Sequence, residues 1–375
     1  MLSRRGWLAG GALAPMVLGN VREQFPIVRD EVCLNNAHWH PMSLGARDAV
    51  QRYLEFKSRG FGKDAALGMR LQKQVKEDFA ALVGVKTSEL AFVPSTMAAE
   101  NFVVQGLSLD EGSNVVTDAL HFEPSRELYA ALSKRSGVAV RMAPEKEGRI
   151  ERRDLERLID RRTKLVAISA VSMRNGFQHD LKEVCSMAHA AGALVYIDMI
   201  QAAGALPLDL RAADADFAAC ASYKWLMGDM GVGFLYVKES LQGTTLRRPV
   251  VGYRQQGQSG AGALVEIGTI ANATIAALSY SLPFLRQYGV DRIQAQRQPL
   301  LRKLQAEMPR LGFTPITPAE SASPIVSFAR KNALALRDRL LAAKVNIELY
   351  EDRVRVSPAV YNTLEDVDKL LEALA

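Results

Sequence analysis

Lys224 lies in the segment Asp216-Phe217-Ala218-Ala219-Cys220-Ala221-Ser222-Tyr223-Lys224-Trp225, twenty-six residues beyond Asp198. Asp198 closes the apolar run Val195-Tyr196-Ile197, and Lys224 follows a second apolar run in a turn of small residues. An amine and a carboxylate carried at the ends of two such runs suit one kind of chemistry. The amine can form a Schiff base with an aldehyde, and the carboxylate can hold a pyridinium nitrogen protonated. A protonated ring is an electron sink for a carbanion on the substrate carbon, so the pair points to pyridoxal 5'-phosphate. Taken singly, Lys224 would read as a solvated loop residue and Asp198 as a helix cap.

Pro94-Ser95-Thr96-Met97-Ala98-Ala99-Glu100-Asn101 follows an apolar run and opens a helical pattern. Free backbone amides at the positive end of a helix make a phosphate site, and the Thr96 hydroxyl can add a bond. An ordinary cap by Ser95 or Thr96 accounts for the same residues equally well.

With these motifs in order, from Leu34-Asn35-Asn36-Ala37-His38 to Arg355-Val356-Ser357-Pro358-Ala359-Val360-Tyr361-Asn362, the chain resembles the class V aminotransferase family of pyridoxal phosphate enzymes. Ser222-Tyr223-Lys224 is most similar to the isopenicillin epimerase-like and kynureninase-like branches. The resemblance implies roles beyond Lys224 and Asp198. His121 or Phe122 would lie flat over the pyridine ring, and His121 could also move protons. Gln201 would reach the ring's phenolic oxygen. The hydroxyls of Ser222 and Tyr223 would reach the phosphate, with Thr96 and the backbone at Met97, where the family usually carries threonine. Thr269, in Glu266-Ile267-Gly268-Thr269, would cross a dimer interface to the neighbouring subunit's phosphate, making the protein a homodimer; a helix cap is the other use of that threonine. Asn36 and His38 would line the substrate mouth. Arg355 would hold the α-carboxylate of an amino acid through two parallel bonds. Met173 departs from the pattern, since the family often has asparagine there; Arg174 or Asn175 is the substitute to consider.

A lysine-bound pyridoxal cofactor supports several reactions, selected by which substrate bond stands perpendicular to the ring. An aminotransferase or epimerase-like enzyme acting on an amino acid or an amino-acid-bearing metabolite ranks first. A kynureninase-like lyase cleaving a carbon–carbon or carbon–heteroatom bond ranks second, and a non-catalytic binding domain last, because such a domain has no use for Lys224. Cysteine desulfuration is disfavoured: residues 329–355 contain no cysteine to attack a substrate sulfur.

The elements that must position these residues form an α/β pattern. Short apolar runs at 90–93, 114–117, 139–142, 165–170, 193–198, 217–221 and 233–237 alternate with helical periodicities such as Leu71, Val75, Phe79 and Leu82. Several runs are apolar on both faces, as strands of a mostly parallel sheet covered by helices should be. The expected fold is the type I pyridoxal-phosphate transferase fold, with a seven-stranded large domain and a small α+β C-terminal domain. The expected divisions are 1–20, an export signal or arm; 21–45, a segment lining the active site; 46–288, the cofactor-binding domain; and 289–375, the small domain. A long helical region beyond Gly268 should break near Gly289, and the C-terminal part should carry helices over 333–343 and 364–374.

At 375 residues and 48% apolar, the chain can bury a large core. Its net charge of +6 is scattered among acids with no basic stripe, which argues against nucleic acid. No run of eighteen apolar residues suggests a membrane span. Cys33, Cys185 and Cys220 show no metal spacing. Ser3-Arg4-Arg5-Gly6-Trp7-Leu8 resembles a twin-arginine export signal, implying a periplasmic enzyme; a cytoplasmic enzyme with an N-terminal arm is the alternative.

Overall fold

The computed structural model describes residues 21–60, 64 and 66–375. The stretch read as an export signal lies outside the described residues. The apolar runs form β1 (Leu90–Val93), β2 (Asn114–Asp118), β3 (Ala139–Ala143), β4 (Thr163–Ser169), β5 (Leu194–Asp198), β6 (Phe217–Ala221) and β7 (Gly233–Val237). They join in one seven-stranded sheet of order β1-β7-β6-β5-β4-β2-β3. Only β7 runs against its neighbours; the pairings from β6 through β5, β4 and β2 to β3 are all parallel.

Both faces of the inner strands are dry, which explains their lack of polar alternation, while the edge strand β3 is partly exposed. On one face Val195, Ile197, Ile168 and Phe234 pack with α1 (Leu44–Arg59), α2 (Leu67–Val83) and a later helix carrying Leu278, Leu282 and Leu285. On the other, Tyr196, Leu165 and Ala219 meet Val103 of α3 (Thr96–Gly106) and Tyr129 of α4 (Glu123–Ser136). The β5 side chains alternate between the two cores, as a period of two requires.

The helical region beyond Gly268 breaks where expected. Gly289, at φ 91°, separates α5 (Asn272–Tyr288) from α6 (Val290–Glu307). Beyond it, β8 (Thr314–Pro315), β9 (Val326–Ala329), β10 (Glu348–Leu349) and β11 (Arg353–Val356) make an antiparallel sheet of order β8-β9-β11-β10. The helix expected over 333–343 is instead a 3-10 turn, Ala333–Leu336, leading into a short α-helix, Arg337–Ala342. Leu304 of α6, Phe328 of β9, Val354 of β11 and Leu370 of α7 (Leu364–Leu374) form a separate core there.

The N-terminal segment is stitched to this C-terminal layer. Val32–Cys33 pairs in parallel with Val345–Asn346, and Arg22 makes a two-point bond to Asp366 at 2.7 and 3.0 Å. In the same direction along the large sheet, β4, β5 and β6 all end at one edge, which in such sheets is where ligands bind. Lys224, Asp198 and Ser169 sit at that edge.

Candidate active site

Parallel pairing fixes what meets there. Ser169, the last residue of β4, is the register partner of Asp198, the last residue of β5, and Asp198 is opposite Ala219 of β6. Lys224 follows β6 in a turn held by the Met227 N–H bonding to the Lys224 carbonyl and the Gly228 N–H bonding to the Ser222 carbonyl. The result is a cavity lined by Lys224, Asp198 and Tyr223 on one side and by Ser95, Thr96 and Met97 on another. Phe122, Val171 and Met173 add an apolar wall.

Two buried charges confront each other without being paired. Lys224 is 8% exposed and makes no side-chain hydrogen bond or ion pair among the described residues. Burial, aided by the Arg355 charge, pushes its amine down to about 8, against the opposing influence of Asp198 and Glu348. Burial pushes Asp198 up to about 6, opposed by the Ile200 N–H and by His121. One Asp198 oxygen accepts that N–H at 2.9 Å; the carboxylate also faces the cavity. An amine poised near neutrality and a carboxyl opening on the same space fit the aldehyde and the ring nitrogen of pyridoxal phosphate. The Ser95–Thr96 turn opens α3 at the cavity, with the Ser95 hydroxyl accepting the Ala98 N–H at 3.1 Å. Amides at the start of an eleven-residue helix fit a phosphate.

Not every expected site residue reaches the cavity, and the exceptions have physical causes. At the position left open between two flat side chains, Phe122 is in the wall and His121 is not. The His121 ring is buried behind it, with Nδ1 2.9 Å from Ser169 Oγ and Nε2 3.2 Å from Glu100. Thr96 lines the cavity, but its hydroxyl already accepts the Ala221 N–H at 2.9 Å. Ser222 Oγ donates to the Asp229 carbonyl at 2.5 Å, holding the lysine turn. Gln201 is in the wall with both ends engaged: Nε2 donates to the Ala37 carbonyl and Oε1 accepts from Trp225. Asn36 is wholly buried, donating to the Ser357 carbonyl at 2.9 Å and accepting from Tyr361 at 2.6 Å, so it joins the two terminal segments.

His38 is exposed and lies 2.8 Å from Glu348. Arg355, 2% exposed, donates to the Met173 carbonyl at 3.2 Å and approaches Glu348 at 3.4 Å, while its Nε has no partner. Met173 replaces a hydrogen-bonding side chain with a thioether in the cavity wall; Arg174 points away to Asp352 at 3.5 Å. Thr269 is exposed and lines a separate groove with Pro94 and Phe102, sharing the β1 end with the Ser95 turn.

Sequence reasoning missed Ser169, Glu100 and Glu348. Ser169 carried the signal that it ends a strand beside Asp198; Glu100 is one helical turn past Thr96. The three cysteines are all buried and none lines the cavity. Burial raises the Cys33 thiol, pushes Cys185 up to about 12 and holds Cys220 well above the ordinary range. Among the described residues no cluster of His, Cys, Asp and Glu could hold a metal ion, and no helix is long and apolar enough to cross a membrane.

A family model described as aminotransferase class-V matches residues 48–370. A probable cysteine desulfurase of Methanothermobacter thermautotrophicus is 28% identical, with 95% of this chain and 96% of the relative covered. An uncharacterized aminotransferase of Bacillus subtilis is 24% identical, with 94% and 96% covered. Among solved structures, the cysteine desulfurase of Thermococcus onnurineus superposes with a TM-score of 0.87 at 22% identity, covering 94% of this chain and 96% of that one. A cystine C–S lyase solved with its reaction product cysteine persulfide gives 0.84 at 20% identity, covering 94% and 99%. These likenesses establish the expected fold.

They also correct the expected order of reactions. The residues had placed an aminotransferase or epimerase-like activity first, a kynureninase-like lyase second, and desulfuration out of contention for want of a cysteine in 329–355. The relatives named for an activity are predominantly cysteine desulfurases. The lack of a cysteine in 329–355 was therefore too narrow a ground for setting carbon–sulfur chemistry aside. A product such as cysteine persulfide carries the sulfur in a small molecule.

Proposed function

This chain belongs to the class V aminotransferase family, and from that premise we propose that it is a pyridoxal phosphate enzyme cleaving the carbon–sulfur bond of a cysteine-class amino acid. The carrying observation is the cavity itself: a buried amine and carboxyl face one space whose remaining wall holds the thioethers of Met97 and Met173 with Phe122 and Val171. Thioether and aromatic walls suit a substrate sulfur or disulfide, which is polarizable and poorly hydrated.

Bound there, pyridoxal phosphate supplies an electron sink for charge developing on the substrate carbon that bears the amino group. Lys224 would carry the cofactor, and once the substrate's amine has displaced it the freed lysine amine, which burial lowers to about 8, would take the proton from that carbon. As the proton leaves, the neighbouring carbon–sulfur bond breaks and its electron pair departs with the sulfur. Asp198 holds the ring nitrogen protonated. Phe122 offers a flat face to the ring, the Ser95–Thr96–Met97 turn its amides to the phosphate, and Arg355 its fork to the substrate carboxylate. His121 acts from behind the wall and not as the stacking group. Because none of the three cysteines lines the cavity and burial keeps each a thiol, the sulfur leaves in a small molecule. Cystine and cysteine are therefore the substrates to test.

Thr269 is assigned to the neighbouring subunit's phosphate in a homodimer. Its exposure, and a groove reaching the β1 end beside the Ser95 turn, support that assignment. Export by the twin-arginine route is proposed on Ser3–Leu8 alone, and N-terminal sequencing of protein from fractionated cells tests it.

The deciding experiment has two parts. Borohydride reduction and peptide mapping should place a pyridoxyl adduct on Lys224. Incubation with cysteine or cystine should then release sulfide or persulfide together with a sulfur-free three-carbon product. Amino-group transfer to a keto acid with the sulfur retained would sink the proposal.

A further inference from the structure

Behind the cavity wall lies a hydrogen-bonded chain with no exposure to water. Glu100, four residues into α3 from Thr96, has 0% of its side chain exposed, as does His121. Its Oε2 accepts from the Ser125 hydroxyl at 2.5 Å and its Oε1 from the Tyr129 hydroxyl at 2.7 Å. Hydroxyl–oxygen separations of about 2.5–2.7 Å are those of bonds to an ionised acceptor. A carboxylate in this setting needs a compensating charge, since an uncompensated buried ion is strongly destabilising. His121 is the group in contact able to supply it, with Nε2 3.2 Å from Glu100 Oε1. Burial works against charging the His121 imidazole, but Glu100, the largest opposing influence, together with the nearby Asp118 and Asp198 carboxylates makes the net shift upward.

The consequence appears at the other end of the ring. An imidazolium is a donor at both nitrogens, so Nδ1, 2.9 Å from Ser169 Oγ, must donate to that oxygen. The Ser169 hydroxyl has one hydrogen, which is then not spent on His121. Ser169 makes no other side-chain hydrogen bond among the described residues, and it forms part of the cavity wall beside Asp198, its partner in the sheet register. We propose that Glu100 is a positioning residue: it holds His121 as an imidazolium and thereby makes Ser169 a hydrogen-bond donor into the space beside Asp198. With Glu100 neutralised, His121 would lose its second proton and Ser169 would turn its hydrogen back to Nδ1, leaving the cavity without that donor.

This inference rests on reading the cavity as the pyridoxal phosphate site, so its test begins without the cofactor. In the cofactor-free protein, nitrogen-15 NMR at neutral pH should show both His121 nitrogens protonated, and only one in Glu100→Gln. A His121 with one bare nitrogen in the native chain overturns the proposal whatever the cavity binds. In the holoenzyme, Ser169→Ala and Glu100→Gln should shift the cofactor absorption band in the same sense. Each should also lower kcat roughly tenfold, the scale of one charge-assisted hydrogen bond. The double variant should do no worse than either single one, and Ser169→Thr should restore the native band. An unchanged spectrum in Ser169→Ala overturns the proposal, and should Glu100→Gln not fold, the serine pair and the NMR result still decide it. Failure of the protein to take up pyridoxal phosphate would instead refute the site's assignment and leave the His121 measurement standing.

Discussion

Lys224 shows how a site can be kept ready at the expense of the empty protein. Its fall from an ordinary 10.5 to about 8 corresponds to about 3 kcal/mol of disfavoured charge. The sign follows from which state sheds its proton first. Below pH 8 the amine is charged in both folded and unfolded chains, and the burial cost is present in full. Between pH 8 and 10.5 the folded site deprotonates first, so stability rises with pH. Cofactor-free Lys224→Met should therefore melt at a higher temperature than the native chain at pH 7, with the gap closing above pH 10. A native melting temperature indifferent to the substitution would mean that the amine reaches water. Asp198 behaves in the opposite sense: raised from 3.8 to about 6, it is a burden above pH 6 and none below 3.8. Asp198→Asn should keep the cofactor while lowering turnover by roughly 10²–10³-fold, the loss typical of removing one preorganised electrostatic contact. Near-native turnover would move the electron-sink role elsewhere. Both residues stood out in the sequence because Asp198 ends one apolar run and Lys224 sits in the turn just past another. The choice between His121 and Phe122 was not, since adjacent residues leaving a strand end diverge by an angle that only the packed turn sets.

Among the elements, the turn after β5 determines where the lysine turn can sit. Gly204 has φ 85°, and a Cβ there would lie 2.4 Å from the carbonyl oxygen of Trp225, the residue after Lys224. Gly231 shares that φ but has open space around it. Gly204→Ala should destabilise the protein by more than Gly231→Ala, which carries only the backbone strain of about 1–3 kcal/mol. It should also weaken cofactor binding, whereas Gly231→Ala should not. Urea unfolding and cofactor titration compare the two, and equal effects would show that Trp225 gives way freely. The seven strands of the large sheet were readable to within two residues, because buried faces demand apolar runs. The 333–343 helix was read as continuous; Asn332 in the left-handed region, φ 54°, begins it as a 3-10 turn. The role of Asn36 was equally hidden, because its partners Ser357 and Tyr361 stand more than three hundred residues away.

At the scale of the whole molecule, the prediction concerns subunits. If Thr269 serves its neighbour, mixing Thr269→Ala with Lys224→Ala subunits should give heterodimers with one doubly damaged site and one intact. Activity per heterodimer should then approach that of one native site. Two impaired sites would place Thr269 in its own chain's cavity, and a sedimentation profile of monomers would remove the dimer altogether. The assembly of two packed sheets was legible from the change of pattern beyond Gly289, and the reaction was not. What bond an enzyme breaks depends on how a substrate lies over the ring, and the apolar side chains lining the cavity, Met97, Met173 and Phe122, look like ordinary core residues in the sequence.

The pairing of Val32–Cys33 with Val345–Asn346, and the bond from Asn36 to Ser357 across 321 residues, set an order of events during synthesis. At about 5–20 residues per second, the first stretch to emerge waits roughly 15–65 s for its partners to be made. Meanwhile the large sheet can close around its own contacts, so the residues that line its cavity, all between 95 and 224, are in place before Arg355 is made. A nascent chain stalled after residue 330 should therefore already capture the cofactor, and, if Arg355 holds the substrate carboxylate, should lack that grip.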